Sequence, residues 1–129
     1  MMESSLSIRV RYNECDPMGV VHHTVYPVWF EMGRTELLRK QGLSYKDLEK
    51  DHVYFVVSTL KVKYHSPARY DDELTLITTC TEQRKATLFH TYELRRGDVV
   101  LTKGETVIAC VNQEGRVQQI PEVISSLSQ

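Results

Sequence analysis

TVYPVWFEMGRTELLRKQG, residues 24–42, is the stretch on which the fold turns. Val25, Trp29 and Met32 recur at helical spacing, and so do Tyr26, Phe30, Gly33 and Leu37. Polar Glu31, Arg34, Glu36 and Arg39 fill much of the remaining circumference. Thr24 can cap the start, and Pro27 falls in the first turn, where its missing donor costs little. Arg39 and Lys40 suit the negative end of the helix dipole, and Gly42 is a stop signal. The apolar residues cover more than one face, so the helix is expected to be enclosed by other structure and not laid on a surface.

What surrounds it reads mostly as strand. Residues 7–12 alternate, with Ile8, Val10 and Tyr12 set against Arg9 and Arg11. A loop over 13–23 follows, broken by Pro17 and Gly19. Residues 44–50 read as a short helix, with Ser44 and Asp47 resembling a capping box. Strands are then expected over 53–64, 73–81, 86–95 and 99–111. Pro67-Ala68-Arg69 breaks the chain after the first, and Arg96-Gly97-Asp98 makes a hairpin turn. Gly104 suggests a bulge or bend. A further extended stretch, 116–120, ends at Pro121, and 122–127 suits a short terminal helix. Tight turns between successive strands imply a mainly antiparallel sheet. The expectation is one α+β domain over residues 1–129, a five- to six-stranded sheet wrapped round one long helix.

Composition narrows the function classes. The 129 residues carry a net charge of −1, with 41% hydrophobic and 26% charged residues, as in an ordinary soluble domain. There is no global basic field to attract nucleic acid or an anionic membrane, so neither is an expected partner. Residues 1–7 lack a signal-peptide core, and the apolar run 53–57 is too short to span a bilayer, which points to the cytoplasm. The cysteines, Cys15, Cys80 and Cys110, are odd in number and form no C-x-x-C pair, against a disulfide framework or structural zinc. Cys80 and Cys110 fall in strand-like runs as small buried hydrophobes.

The chemistry concentrates in YNECDPMGVVHHTVYPVWFEMGR, residues 12–34. Two carboxylates, Glu14 and Asp16, and two imidazoles, His22 and His23, flank a turn that feeds the long helix. A helix start offers unpaired N–H groups and a partial positive charge, which can stabilise the oxyanion formed when a carbonyl is attacked. A carboxylate beside it can act as nucleophile or activate water. These are the parts that acyl transfer to water needs. Asp before Pro is also ordinary turn chemistry, and the residues alone leave both readings open.

The stretch resembles the signature of the 4-hydroxybenzoyl-CoA thioesterase family, which includes the acyl-CoA thioesterases associated with the Tol-Pal system. That signature is a strand, an acidic pair D-x-D or close kin, a Gly, an apolar pair, an aromatic or His, and a helix carrying E-x-x-R-T-E-x-L-R. Here it is matched by Glu14-Cys15-Asp16-Pro17-Met18-Gly19-Val20-Val21, His23, Tyr26, and Glu31 with Arg34-Thr35-Glu36-Leu37-Leu38-Arg39. The later Pro67-Ala68-Arg69-Tyr70-Asp71-Asp72 and Arg84-Lys85 also fit. The resemblance implies a hotdog fold and hydrolysis of an acyl-CoA, with no cofactor and no metal. It places the catalytic carboxylate on Asp16, the aromatic or His near the helix start on His23, and the Tyr before the acidic pair on Tyr12. The one departure is Glu14, where the family carries Asp. The resemblance further implies nucleotide contacts near Arg84 and Lys85. It also implies a homodimer or homotetramer whose site lies between subunits; the exposed sheet edges and the apolar helix point the same way, and Asp16 is expected to face the 53–58 segment, with Ser58, of another copy.

Alternatives stand beside several of these residues. His23 can orient a substrate carbonyl or simply satisfy loop backbone; Tyr12 can be core or can hydrogen-bond near Asp16, with core preferred. His22 reads as solvent-facing or structural, Trp29 and Phe30 as packing. Arg84 and Lys85, like Arg95 and Arg96, suit the phosphates of CoA but also suit a solvated turn. A nearby anion should raise the Cys15 pKa and dull it as a nucleophile. Two other functions compete: a metal-dependent hydrolase with Glu14, Asp16, His22 and His23 as ligands, and a non-catalytic acyl-binding or interaction module on the same fold.

Overall fold

Residues 2–125 are described by the structure, a computed structural model. The elements run β1 (Met2–Arg9), a single 3-10 turn (Tyr12–Glu14), α1 (Val25–Lys40), α2 (Tyr45–Lys50), β2 (Tyr54–Tyr64), β3 (Glu73–Gln83), β4 (Thr87–Arg96), β5 (Val99–Val111) and α3 (Glu122–Ser125). The five strands form one antiparallel sheet in the order β1-β3-β4-β5-β2.

Period-two alternation selects the face that meets α1. Leu74, Leu76, Thr78 and Cys80 of β3 are buried, as are Leu88, His90, Tyr92 and Leu94 of β4. From α1, Tyr26, Trp29, Phe30, Gly33, Arg34, Leu37 and Leu38 are buried, so the helix presents a broad buried face. Phe30 is fully enclosed, worth about 2 kcal/mol in removed apolar surface. It stacks on Tyr92 at 4.2 Å between centroids. Two glycines let helix and sheet close on each other. A Cβ at Gly104 would sit 2.4 Å from the Phe30 ring, and one at Gly33 only 2.1 Å from Thr78 Oγ1.

The core is divided. One apolar cluster gathers Ile8, Val10, Trp29, Phe30, Leu76 and Leu101, and another gathers Leu37, Leu38, Cys80, Leu88, Ile108 and Cys110. On each element the residue between them is polar: Arg34 on α1, Thr78 on β3, His90 on β4 and Thr106 on β5, all buried. Arg34 Nη1 donates to Tyr92 Oη at 3.0 Å, and Tyr92 Oη lies 2.6 Å from Thr106 Oγ1.

Several expectations are corrected. β1 begins at Met2 and stops at Arg9. Tyr12 therefore lies outside the sheet, 80% exposed and not in the core. The ladder runs unbroken through Gly104, and the irregularities fall at Val57/Thr59, Cys80/Glu82 and Leu94/Arg95. Gly104 is there to admit Phe30, not to bend the strand. Thr24 makes no side-chain cap; its Oγ1 sits 2.7 Å from His22 Nδ1 instead. Residues 116–120 form no strand. They make one bridge, Val117 to Val111, while the Gln118 and Ile120 amides donate to different segments, Gln118 N to Cys110 O and Ile120 N to Lys85 O. Of the expected terminal helix, Glu122–Ser125 is present and the remainder lies outside the described residues. α2 has the expected cap, Ser44 Oγ accepting from Asp47 N at 3.1 Å.

Candidate active site

The loop between β1 and α1 is a tight hairpin, closed on itself by one bridge and tied to residues 68–69 by two contacts. Cys15 bridges Val21, Val20 bridges Arg69, and the Val21 amide donates to Ala68 O at 2.8 Å. Asp16 sits at its turn. Asp16 N donates to Val20 O, Gly19 N donates back to Asp16 O, and Asp16 Oδ1 accepts the Met18 amide at 2.8 Å. Gly19 supplies the positive φ of +79° that the turn requires. One carboxylate oxygen thus holds the turn in the manner of an Asx-turn, and Oδ2 has no partner among the described residues. Asp16 is half-buried.

Glu14 anchors the hairpin to the helix. Its carboxylate is buried and accepts from Arg11 N at 2.7 Å, Arg11 Nη2 at 3.3 Å and Trp29 Nε1 at 3.0 Å. A buried carboxylate needs donors, and a buried indole N–H needs an acceptor, so each satisfies the other. The pairing spans fifteen residues, and no local sequence signal announces it. It also commits one of the four groups that a metal site would use. Among the described residues no group of three or more His, Cys, Asp or Glu is placed to hold a metal ion.

His23 and Asp16 are not brought into one cavity by the single chain. His23 lines a cleft of about 250 Å³ with Val21, Tyr26, Tyr64, His65 and Pro67. Tyr64 Oη donates to His23 O at 2.8 Å, and the His22 and His23 rings lie 4.3 Å apart. Burial pushes the Tyr26 and Tyr64 hydroxyl pKa values up, so both stay protonated donors. Tyr12 packs edge-on against Tyr70 at 5.5 Å. The Cys15 thiol is pushed up by burial first, and then by Glu14, Asp16 and Asp72, which keeps it protonated.

The expected nucleotide contacts stand far away. Asp16 belongs to the Glu73 end of β3, where Val10 N donates to Asp72 O, whereas Arg84 and Lys85 follow the other end of that strand. Eleven residues of strand separate the two ends, about 30 Å at the usual rise. Arg84 is also engaged locally, with Nε donating to Glu82 Oε2 at 2.9 Å and the guanidinium over the Phe89 ring at 4.8 Å. Ser58 lies in mid-strand at the β2 irregularity, and its Oγ donates to Val107 O at 3.0 Å. Tyr64, near His23, is six residues on, about 20 Å along the strand.

A single long helix cupped by one antiparallel sheet, with a carboxylate turn at the helix start, defines the hotdog class. The structure superposes on that of a 4-hydroxybenzoyl-CoA thioesterase complexed with 4-hydroxybenzoyl-CoA with a TM-score of 0.91, covering all of both chains at 18% identity, a likeness of fold. It superposes with a TM-score of 0.92 on a hypothetical protein from Thermus thermophilus, 38% identical, over 98% of this chain and 96% of the other. In sequence it is 36% identical over 106 residues to an Escherichia coli protein named acyl-CoA thioester hydrolase YbgC, covering 81% of this chain and 79% of that one. Residues 18–103 match the model of the thioesterase superfamily. The chain belongs to that superfamily and is a thioester hydrolase.

Proposed function

We propose that the protein hydrolyses an acyl-CoA to the free acid and CoA, with Asp16 as the working carboxylate. The observation that carries this is the division of labour within Asp16: Oδ1 fixes the turn, and Oδ2 has no partner among the described residues. Asp16 either attacks the thioester carbonyl or takes a proton from the attacking water, and the CoA thiolate leaves. The first turn of α1 has no side-chain cap; its Val25 amide already donates to His22 O and Pro27 has no N–H, which leaves the Tyr26 amide as the donor proposed for the developing oxyanion. His23 and its cleft take the neighbouring part of the substrate. The name of the Escherichia coli relative supports acyl-CoA as the substrate.

The site is completed by a second copy. β2 forms a sheet edge, with Val56, Val57, Leu60 and Tyr64 each close to half exposed, and Val28 and Met32 of α1 are exposed as well. An uncovered apolar edge of this kind invites a partner. Two β2 strands paired antiparallel about Thr59 would set Tyr64 of one copy opposite Tyr54 of the partner subunit. The Arg84–Lys85 turn lies at the Tyr54 end, so the partner's Arg84 and the partner's Lys85 would approach the first copy's Asp16. That resolves the separation within one chain and supports a homodimer or a dimer of dimers.

The test is Asp16→Asn, whose side-chain oxygen can still accept the Met18 amide. It should leave a folded protein with kcat lower by about two orders of magnitude or more. Near-normal turnover by the folded variant would overturn the assignment.

A further inference from the structure

A second cavity opens between α1, α2 and β2, with a volume of about 300 Å³, at the small end of the range for ligand sites. Its walls include Arg34, Tyr45, Phe55, Val57 and Ile108, with Glu31 and Glu49 also lining it. A small neighbouring recess of about 20 Å³ shares Arg34, Tyr45 and Phe55 with it and is also lined by His90.

Arg34 is only 8% exposed. Its described hydrogen-bond partners are neutral hydroxyls: Tyr92 Oη, which is already paired with Thr106, and the Tyr45 hydroxyl. A guanidinium offers five N–H donors and no acceptor, and a buried charge normally has a counter-ion. No carboxylate forms an ion pair with Arg34 among the described residues. The recess adds a further unmet polar atom: His90 Nδ1 is buried without a partner. Burial and the Arg34 charge hold the His90 pKa down to about 4, so it does not compete as a second cation. Tyr45 adds a hydroxyl kept protonated by burial. The Arg34 end of the cavity is therefore rich in donors, and Phe55, Val57 and Ile108 supply hydrocarbon on part of its walls.

We propose that this cavity receives the far end of the acyl group and that Arg34 binds a carboxylate there, making ω-carboxyacyl thioesters the preferred substrates. Phe55, Val57 and Ile108 suit a hydrocarbon body, and Glu31 and Glu49 repel a phosphate dianion more strongly than they repel a single carboxylate. The inference rests on the shared-site reading above. The cavity includes Tyr54 and Phe55, the end of β2 that pairing about Thr59 sets against the other copy's Tyr64 and His23. An acyl chain starting at Asp16 of one copy would then run into the cavity of its neighbour.

The experiment compares α,ω-dicarboxylic mono-CoA thioesters with methyl-ended acyl-CoAs of equal length, over a series of lengths, by kcat/KM. Wild type should prefer the carboxyl-ended ester at least tenfold at one length. Arg34→Met should abolish the preference, and Arg34→Lys should restore part of it. In parallel, binding of free dicarboxylic and monocarboxylic acids to wild type is measured by calorimetry, with the same order expected. If Arg34→Met does not fold, the wild-type comparisons decide alone. Turnover with no preference for the carboxyl-ended series, or a preference that survives in Arg34→Met, overturns the inference. Free acids binding in the expected order with no acyl-CoA turned over would overturn the thioesterase reading while leaving the carboxylate site standing.

Discussion

Acid should weaken this protein through one histidine. His90 is 6% exposed, and its pKa is held at about 4, below the ordinary 6.5, first by burial and then by Arg34. In the unfolded chain the imidazole takes up its proton near pH 6.5; in the folded protein it resists until about pH 4. Between those values the unfolded state binds more protons, so stability falls as pH drops. The contribution is complete above pH 6.5 and is progressively lost below it. Linkage gives a loss of about 2 kcal/mol at pH 5 and about 3 kcal/mol at pH 4 relative to neutral pH. The assay is denaturant unfolding at fixed protein concentration, at pH 7.5 and pH 5, for wild type and His90→Gln. Carboxylates titrate in both proteins, so the difference of differences isolates His90. Wild type should lose about 2 kcal/mol more than the variant over that interval. Parallel losses in the two would refute the claim that His90 is buried neutral.

Arg84→Ala with Lys85→Ala should raise KM for an acyl-CoA more than it lowers kcat, and should spare a short thioester lacking the nucleotide. Equal damage to both substrates would make the pair structural, as the Glu82 and Phe89 contacts of Arg84 allow. Glu14→Ala leaves Trp29 Nε1–H and the Arg11 amide without their acceptor, costing about 2–4 kcal/mol in denaturant unfolding together with a fall in activity. A cost under about 1 kcal/mol would show that the anchor is dispensable. Val57→Asp places a charge on the free edge of β2 and should yield an inactive monomer by sedimentation. A monomer with full activity would sink the shared site.

The helix and the strands were legible because their periods are regular. Alternation through Leu88, His90, Tyr92 and Leu94 fixed the face of β4, and the spread of apolar residues on α1 announced a buried rod. The family was legible from the motif around Asp16. What failed did so for identifiable reasons. Tyr12 continued the alternation of residues 8 and 10, but the ladder ends at Arg9 and the chain turns away. Gly104 carried a local signal whose cause, the Phe30 ring, lies on another element. The Glu14–Trp29 bond and the polar residues around Arg34 depend on partners from fifteen to more than fifty residues away, which no local pattern encodes. Asp16, Arg84 and Lys85 do not converge within one chain, because the hairpin that holds Asp16 and the turn that holds Arg84 and Lys85 lie at opposite ends of β3.

The close fit of helix to sheet has a bearing on how such a protein can change its preferences. Phe30 fills the gap over Gly104, and Gly33 rests on Thr78 with no room for even a methyl group. Sliding α1 by one residue, about 1.5 Å, would break both fits at once. The helix therefore behaves as a fixed spindle, and a ligand cannot gain space by pushing it. New specificity has to be written at the margins: in the hairpin around Asp16, in α2, and on the outer side of β2. Laboratory selection for new acyl groups should accordingly accumulate its substitutions in those margins and leave Phe30, Gly33 and Gly104 untouched.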